Sequence, residues 1–175
     1  MGILSKFNRI LNNHPMMTQM IVSGGIVATG DIIAQYIEEK QKWDKIRTFR
    51  FATLVGCCIV PFQSAWYRYL QCVQHSNLHL KVAKRLAYDQ LIFSPLLNVL
   101  ILTGLPLAEG YSWKRSIEIM KEEWLDIFID SLKLWPAVQI INFYFVPLNY
   151  RVLLIQFVGL VWSTYLSLKT SRKLQ

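Results

Sequence analysis

Apolar residues in this chain run in blocks rather than alternating. Residues 17–37 carry one charge, Asp31, and residues 51–70 carry one, Arg68. Residues 91–108, 134–150 and 152–168 carry none. A helix of about 20 residues rises about 30 Å, the thickness of a bilayer's hydrocarbon core. A core helix of a soluble protein usually keeps a polar face. Five such helices in 175 residues would leave too little polar surface to cover them. No alternation of period two persists, so a closed barrel is a poor fit. In lipid that leaves helices, which satisfy their own backbone groups.

Residues 113–133 follow a different rule. Trp113, Ile117, Met120, Trp124, Phe128 and Leu132 recur at spacings of three and four, with Glu118, Lys121, Glu122, Asp126 and Asp130 largely between them. That pattern predicts an amphipathic helix lying along the interface or against the bundle. The expected fold is all-α: a polytopic membrane helical bundle over residues 1–175, with four to five apolar helices and one amphipathic helix.

Composition agrees. Hydrophobic residues make up 53% and charged residues 17%, against roughly 25% charged in soluble domains. A disordered chain, a coiled coil and a disulfide scaffold are excluded. The net charge is +8, and its distribution matters more than its size. Suppose that the first three blocks each cross once and the last two return the chain. The N-terminus (Lys6, Arg9), the second connection (Lys81, Lys84, Arg85) and the tail (Lys169, Arg172, Lys173) then share one face without an acid. The other face, with the first connection from Glu38, Glu39 and Lys40 to Arg50, balances its charges. Lys and Arg are nearly equal on the two faces, so orientation stays open. A basic face suits anionic lipid headgroups. It lacks the stacking platform or recognition helix of a nucleic-acid binder, and no direct nucleic-acid binding is expected.

Met1-Gly2 is followed by Lys6 where myristoylation needs Ser or Thr, so that signal fails. Ile3, Leu4, Phe7, Ile10 and Leu11 share a helical face beside Lys6 and Arg9. The segment reads either as a short mitochondrial targeting helix or as an amphipathic lead into the first membrane helix.

Small residues punctuate the first block. Gly24 and Ala28 are four apart, as are Gly30 and Ala34, a spacing that lets membrane helices approach closely. Asp31 is the costly residue there, on the order of 3 kcal/mol or more inside a bilayer. It should be partnered, neutralised or facing water. Gln35 lies one turn on, and Arg50, Arg68 and Arg151 are candidate cations. Asp31 either lines a water-filled path or fixes helix register. Gln139 and Asn142, three apart, bond across helices or line a pore. Pro136 and Pro147 should kink or break the fourth block, and Pro61 and Pro95 should bend the second and third. Asp89 and Gln90, at the start of the third block, read as interfacial.

Catalysis has little support. Cys57, Cys58 and Cys72 are too few for a disulfide framework, and His75 with His79 makes a poor zinc site. No nucleophile elbow, phosphate loop or carboxylate pair is present. No enzyme activity, cofactor or metal is expected.

The run Trp135-Pro136-Ala137-Val138-Gln139, followed by Asn142-Phe143-Tyr144, Val146-Pro147-Leu148, Tyr150-Arg151, Trp162 and Tyr165-Leu166-Ser167, closely resembles the C-terminal signature of the peroxisomal membrane protein 2 family. His14-Pro15, Gly30-Asp31 with Gln35, Arg50, Gly56, Pro61, Trp66-Tyr67 and Asp89-Gln90 with Pro95 extend the resemblance over almost the whole chain. It is greatest to the family's mitochondrial inner-membrane branch, with the peroxisomal membrane as the alternative location. The resemblance implies a small four-helix organellar membrane protein, a weakly selective channel for small solutes. It also implies links to membrane potential, reactive oxygen species and mitochondrial DNA maintenance. A pore would be lined by Asp31, Gln35, Gln139 and Asn142, with Arg151 as a charge partner. A homo-oligomer is the natural way for few helices to enclose it.

Overall fold

The computed structural model describes residues 2–37 and 42–173. Glu38, Glu39 and Lys40 of the first connection lie outside the described residues. So do Met1 and the side chains of Tyr165 to Ser167, Lys169, Arg172 and Lys173.

Helices joined by short connections make up the described residues, without a strand: α1 (Ile3–Asn13), α2 (Pro15–Ile37), α3 (Lys45–Thr53), α4 (Val60–Tyr69), α5 (Leu78–Tyr88), α6 (Ser94–Glu109), α7 (Trp113–Phe145) and α8 (Leu148–Lys173). Two compact units result, one of Met1–Val60 with Asn149–Gln175 and one of Pro61–Leu148.

Local chemistry sets the helix ends. Asp44 caps α3 through the Arg47 N–H, Asn77 caps α5 through the His79 and Leu80 N–H groups, and Ser112 caps α7 through the Arg115 N–H. Such side-chain acceptors satisfy otherwise orphaned donors. Gly110 ends α6 at φ 103°, a left-handed position that a Cβ would disfavour. The Tyr111 N–H then returns to the Pro106 carbonyl at 3.0 Å, and α7 starts two residues later.

Prolines and wide turns go together. Leu54–Ile59 and Asp89–Phe93 are π-helical. The Val60 N–H bonds the Val55 carbonyl, and the Ser94 N–H bonds that of Asp89. Each wide turn thus closes on the residue just before a proline, Pro61 or Pro95. A proline has no N–H, and its ring clashes with the carbonyl four residues back. A π-turn displaces that ladder and lets the helix run on. At Pro61 and Pro95, where the sequence predicts bends, the ladder widens into π-turns.

Three expectations about boundaries change. The third apolar helix does not begin at residue 91: helix runs unbroken from Leu78 to Glu109. The basic second connection supplies its first turns, because Leu78, Val82 and Leu86 place apolar groups between the cations. The amphipathic segment 113–133 and the fourth block are not separate elements, since α7 continues through Pro136 to Phe145. Pro136 thus breaks nothing, whereas Pro147 does separate α7 from α8. Among the described residues, two runs are long and apolar enough to cross a bilayer, Pro15–Tyr36 and Leu78–Glu109, with a shorter apolar helix over Leu148–Trp162. In each of the two, 22% of the apolar window is buried. The core helix of a soluble protein would hide far more.

The burial pattern is inverted relative to a soluble domain. Gln19, Ser23, Asp31, Gln35, Asp89, Gln139 and Asn142 are buried, while Ile21, Phe49, Leu91, Phe145 and Phe157 are largely exposed. Polar groups inside and apolar groups outside are what a lipid solvent selects.

In the first unit, α2 is approached closely at its small residues. A Cβ on Gly24 would lie 3.3 Å from the Ala52 carbonyl oxygen, and one on Gly56 3.0 Å from that of Met20. Gly30 faces the Leu160 side chain, and Ala28 and Ala34 are half-buried. The Gln19 amide donates to the Asn149 carbonyl at 2.8 Å, and Asn149 donates to Asn12 at 3.1 Å. In the second unit, the Trp124 indole donates to the Pro95 carbonyl at 3.2 Å.

Candidate functional site

Each unit holds a buried aspartate that accepts from a side-chain amide; a further buried aspartate of the second unit, Asp130, pairs with Lys133 at 2.5 Å. In the first unit this is Asp31, 6% exposed near the end of α2. Helical spacing places Gln35 one turn on, and its amide donates to Asp31 Oδ2 at 2.7 Å. The Thr48 hydroxyl donates to the same oxygen at 2.5 Å. Gln35 also grips the backbone of Asp44, accepting from its N–H at 2.7 Å and donating to its carbonyl at 3.2 Å. The Trp43 indole donates to Thr48 at 2.9 Å. A cation completes the group, with Arg47 Nε 3.0 Å from Asp31 Oδ1.

That partner corrects the sequence reading, which nominated Arg50, Arg68 and Arg151. The capping of α3 by Asp44 sets the first helical turn, and that turn carries Arg47 to Asp31. Arg151 lies buried in α8 of the same unit.

In the second unit the acid is Asp89, 2% exposed. Its Oδ1 accepts from the Trp66 indole at 3.1 Å. Its Oδ2 accepts from the Gln139 amide at 2.9 Å and from Gln90 at 3.0 Å. Gln139 also donates to the Tyr67 hydroxyl at 3.0 Å, and its own carbonyl accepts from Asn142 at 3.0 Å. Stacking of Trp66 on Phe93, with centroids 4.9 Å apart, and the edge contact of Tyr67 with Phe143 fix the two aromatics. All three donors to Asp89 are neutral, and among the described residues no cation is ion-paired with it.

Asp89 and Gln90, read from the sequence as interfacial, are both buried within the protein. The helical run that starts at Leu78 places Asp89 about 16 Å along the axis at 1.5 Å per residue.

The predicted site residues divide between the units. Asp31 and Gln35 form one cluster and Gln139 with Asn142 the other. Sequence reasoning missed Arg47, Thr48 and Trp43 in the first. In the second it missed the central place of Asp89. Trp66-Tyr67 and Asp89-Gln90 were visible only as motif pairs, not as one group. The three cysteines are free and exposed. His75 Nδ1 accepts from the Asn77 N–H at 3.0 Å, and His79 Nδ1 pairs with the Tyr144 hydroxyl at 2.7 Å. Among the described residues no group of three or more metal-ligating side chains occurs.

Comparison with known proteins sets this architecture in a family. Residues 106–167 match the profile of the Mpv17 / PMP22 family. The chain is 48% identical to the mitochondrial inner membrane protein Mpv17 of Caenorhabditis briggsae, over 97% of this chain and 94% of that one. It is 43% identical to the protein of the same name in Caenorhabditis elegans, over 98% and 95% of the two chains. For the one in Rattus norvegicus the identity is 33%, over 97% and 98%. No solved structure matches. The chain belongs to the Mpv17 / PMP22 family and is a membrane protein of the mitochondrial inner membrane.

Proposed function

We propose that this chain is a weakly selective channel for small solutes in the mitochondrial inner membrane, supporting membrane-potential homeostasis and mitochondrial DNA maintenance. The observation that carries the reading is Asp89. It is a buried acid within the apolar run Leu78–Glu109, hydrogen-bonded to three neutral donors and to no cation. Polar and ionisable groups inside a membrane segment are costly and mark solute or ion pathways. In this reading four to five helices span, with the second half of α7 and α8 joining the two long apolar runs. Copies of the chain associate to enclose the path. The protein performs no catalysis, and its support of mitochondrial DNA acts through the solutes admitted rather than through contact with DNA.

A second reading makes the chain a non-conducting assembly protein. The Asp31 cluster favours it, because Arg47 pairs with that acid and Thr48 donates to it, tying α2 to α3.

Reconstitution of the purified protein into liposomes with a panel of solutes separates the two. Size-limited solute release that disappears in Asp89→Leu supports the channel. Intact liposomes at every protein density, with the protein folded and inserted, support the assembly role.

A further inference from the structure

Arg85 is a buried cation to which the chain itself offers no anion. It lies in α5 and is 5% exposed. Its Nε is buried and donates to nothing. Among the described residues no acceptor or ion pair completes its guanidinium. A buried charge without a counter-charge is costly, so the missing partner has to come from outside the chain.

The neighbouring elements supply none. α5 packs against α7. His79 meets the Tyr144 hydroxyl near the start of α5, and Asp89 meets the Gln139 amide just past its end. Arg85 lies between these two contacts, and α7 carries no acid from Gln139 to Tyr144. Asp89 follows one turn on, yet the two make no ion pair. Long helical side chains lean towards the N-terminus, which directs Arg85 back over the turn of Lys81. Lys81, on the same face, is half-buried, and Lys84 is exposed. The chain has no Asp or Glu from Tyr69 to Tyr88.

Depth in the bilayer narrows the choice of partner. The uncharged part of the long run, residues 91–108, rises about 27 Å and fits the hydrocarbon core. Arg85 precedes it by about 9 Å along the axis, at the level of the headgroups rather than the acyl chains.

We propose that Arg85, with Lys81 beside it, holds the phosphate of an anionic phospholipid from the surrounding bilayer. A guanidinium fork matches two oxygens of one phosphate, and the lysine adds a point charge. Basic pockets at the ends of membrane helices take such headgroups. Inorganic phosphate offers the same oxygens, but a site at headgroup level meets lipid phosphate continuously. The site is separate from conduction, because a channel and an assembly protein alike would bind.

Full-length protein in dodecyl maltoside is titrated with dioleoyl phosphatidylglycerol, dioleoyl phosphatidylcholine or inorganic phosphate. Native mass spectrometry counts bound lipid, and the unfolding midpoint is read in parallel. Phosphatidylglycerol is expected to bind and to raise the midpoint, and the other two, at equal concentration, to do neither. Arg85→Gln should weaken phosphatidylglycerol binding about tenfold, the weight of one hydrogen bond to a charged group. Lys81→Gln should weaken it less. Lys6→Gln removes an equal charge from α1 and should leave it unchanged. Failure to retain phosphatidylglycerol overturns the proposal, and so does an equal loss in Arg85→Gln and Lys6→Gln. Stabilisation by inorganic phosphate to the same extent overturns the lipid as the source.

A second readout changes sign. Without anionic lipid, Arg85→Leu no longer buries an unmatched charge and should unfold at or above the native midpoint. With phosphatidylglycerol the native protein should move above the variant. A variant less stable by the same margin in both conditions overturns the site. Should the Arg85 variants not fold, Lys81→Gln carries the test, and an unchanged phosphatidylglycerol affinity there overturns it.

Discussion

Arg47 Nε meets Asp31 Oδ1 at 3.0 Å, tying the first turn of α3 to the last turns of α2. The two side chains are 15% and 2% exposed, so salt screens them little. Removing one partner from a buried pair strands the other, at about 3–5 kcal/mol for full burial. Arg47→Met strands the more buried partner and should cost about 3 kcal/mol. Asp31→Asn keeps an acceptor for Thr48 and strands the better-hydrated arginine, so it should cost less. The double variant should lose less than the sum of the singles. Chemical unfolding in mild detergent, read as a double-mutant cycle, checks all three. Additive losses would mean that the pair contributes no coupling.

The α2 half of this cluster was legible beforehand. Asp31 and Gln35 are one helical turn apart, so their contact follows from helix geometry. Arg47 lies beyond a connection, and its position depends on where Asp44 starts α3. Gln139 and Asp89 are separated by fifty residues, and no periodicity links them. Helix content was readable from apolar blocks, but helix ends were not. Hydropathy reports which solvent a residue faces, whereas the backbone ladder ignores polarity and passes from the basic turns of α5 into α6. For the same reason α7 joins a charged half to an apolar half.

The glycines of the first unit should respond oppositely. A Cβ on Gly56 would sit 3.0 Å from a backbone carbonyl, and backbone cannot swing aside. Gly56→Ala is therefore expected to destabilise by about 1–3 kcal/mol, as overpacking does, and Gly56→Leu by more. Gly25 has nothing within 4 Å of its would-be Cβ and lies inside α2. Gly25→Ala should be neutral or stabilising by up to about 1 kcal/mol, from helix propensity. Unfolding midpoints of the two alanine variants check the difference in sign.

Two prolines should differ for a structural reason. Pro136 lies inside α7 without a compensating wide turn, so Pro136→Ala restores a donor to the helix and should stabilise it. Pro95 follows the π-turn that begins at Asp89. Pro95→Ala removes the reason for that turn. A relaxed ladder would rotate Asp89 by roughly 100° relative to α6, one residue's worth of helix. The Trp66 and Gln139 bonds to Asp89 would then be strained. Pro95→Ala should destabilise the second unit and make the amides around residues 89–93 exchange faster. Hydrogen exchange resolved by residue checks both variants.

The three free cysteines test the membrane assignment with native residues. Cys57 and Cys58 occupy the π-turn within the apolar stretch leading into Pro61 and are exposed on the surface of the protein. Cys72 ends the single 3₁₀ turn that follows α4. With no membrane, all three thiols would react alike with any maleimide. In a bilayer, exposure of the first two is exposure to lipid, which charged reagents do not reach. Only thiolates attack, so reaction also needs water at the sulfur. A charged maleimide should label Cys72 in sealed vesicles from one side or the other, leaving Cys57 and Cys58 untouched until detergent is added. Mass spectrometry of the labelled peptides gives the pattern. Rapid labelling of Cys57 or Cys58 from water would place that turn outside the hydrocarbon and remove the segment around Pro61 from the set of membrane spans.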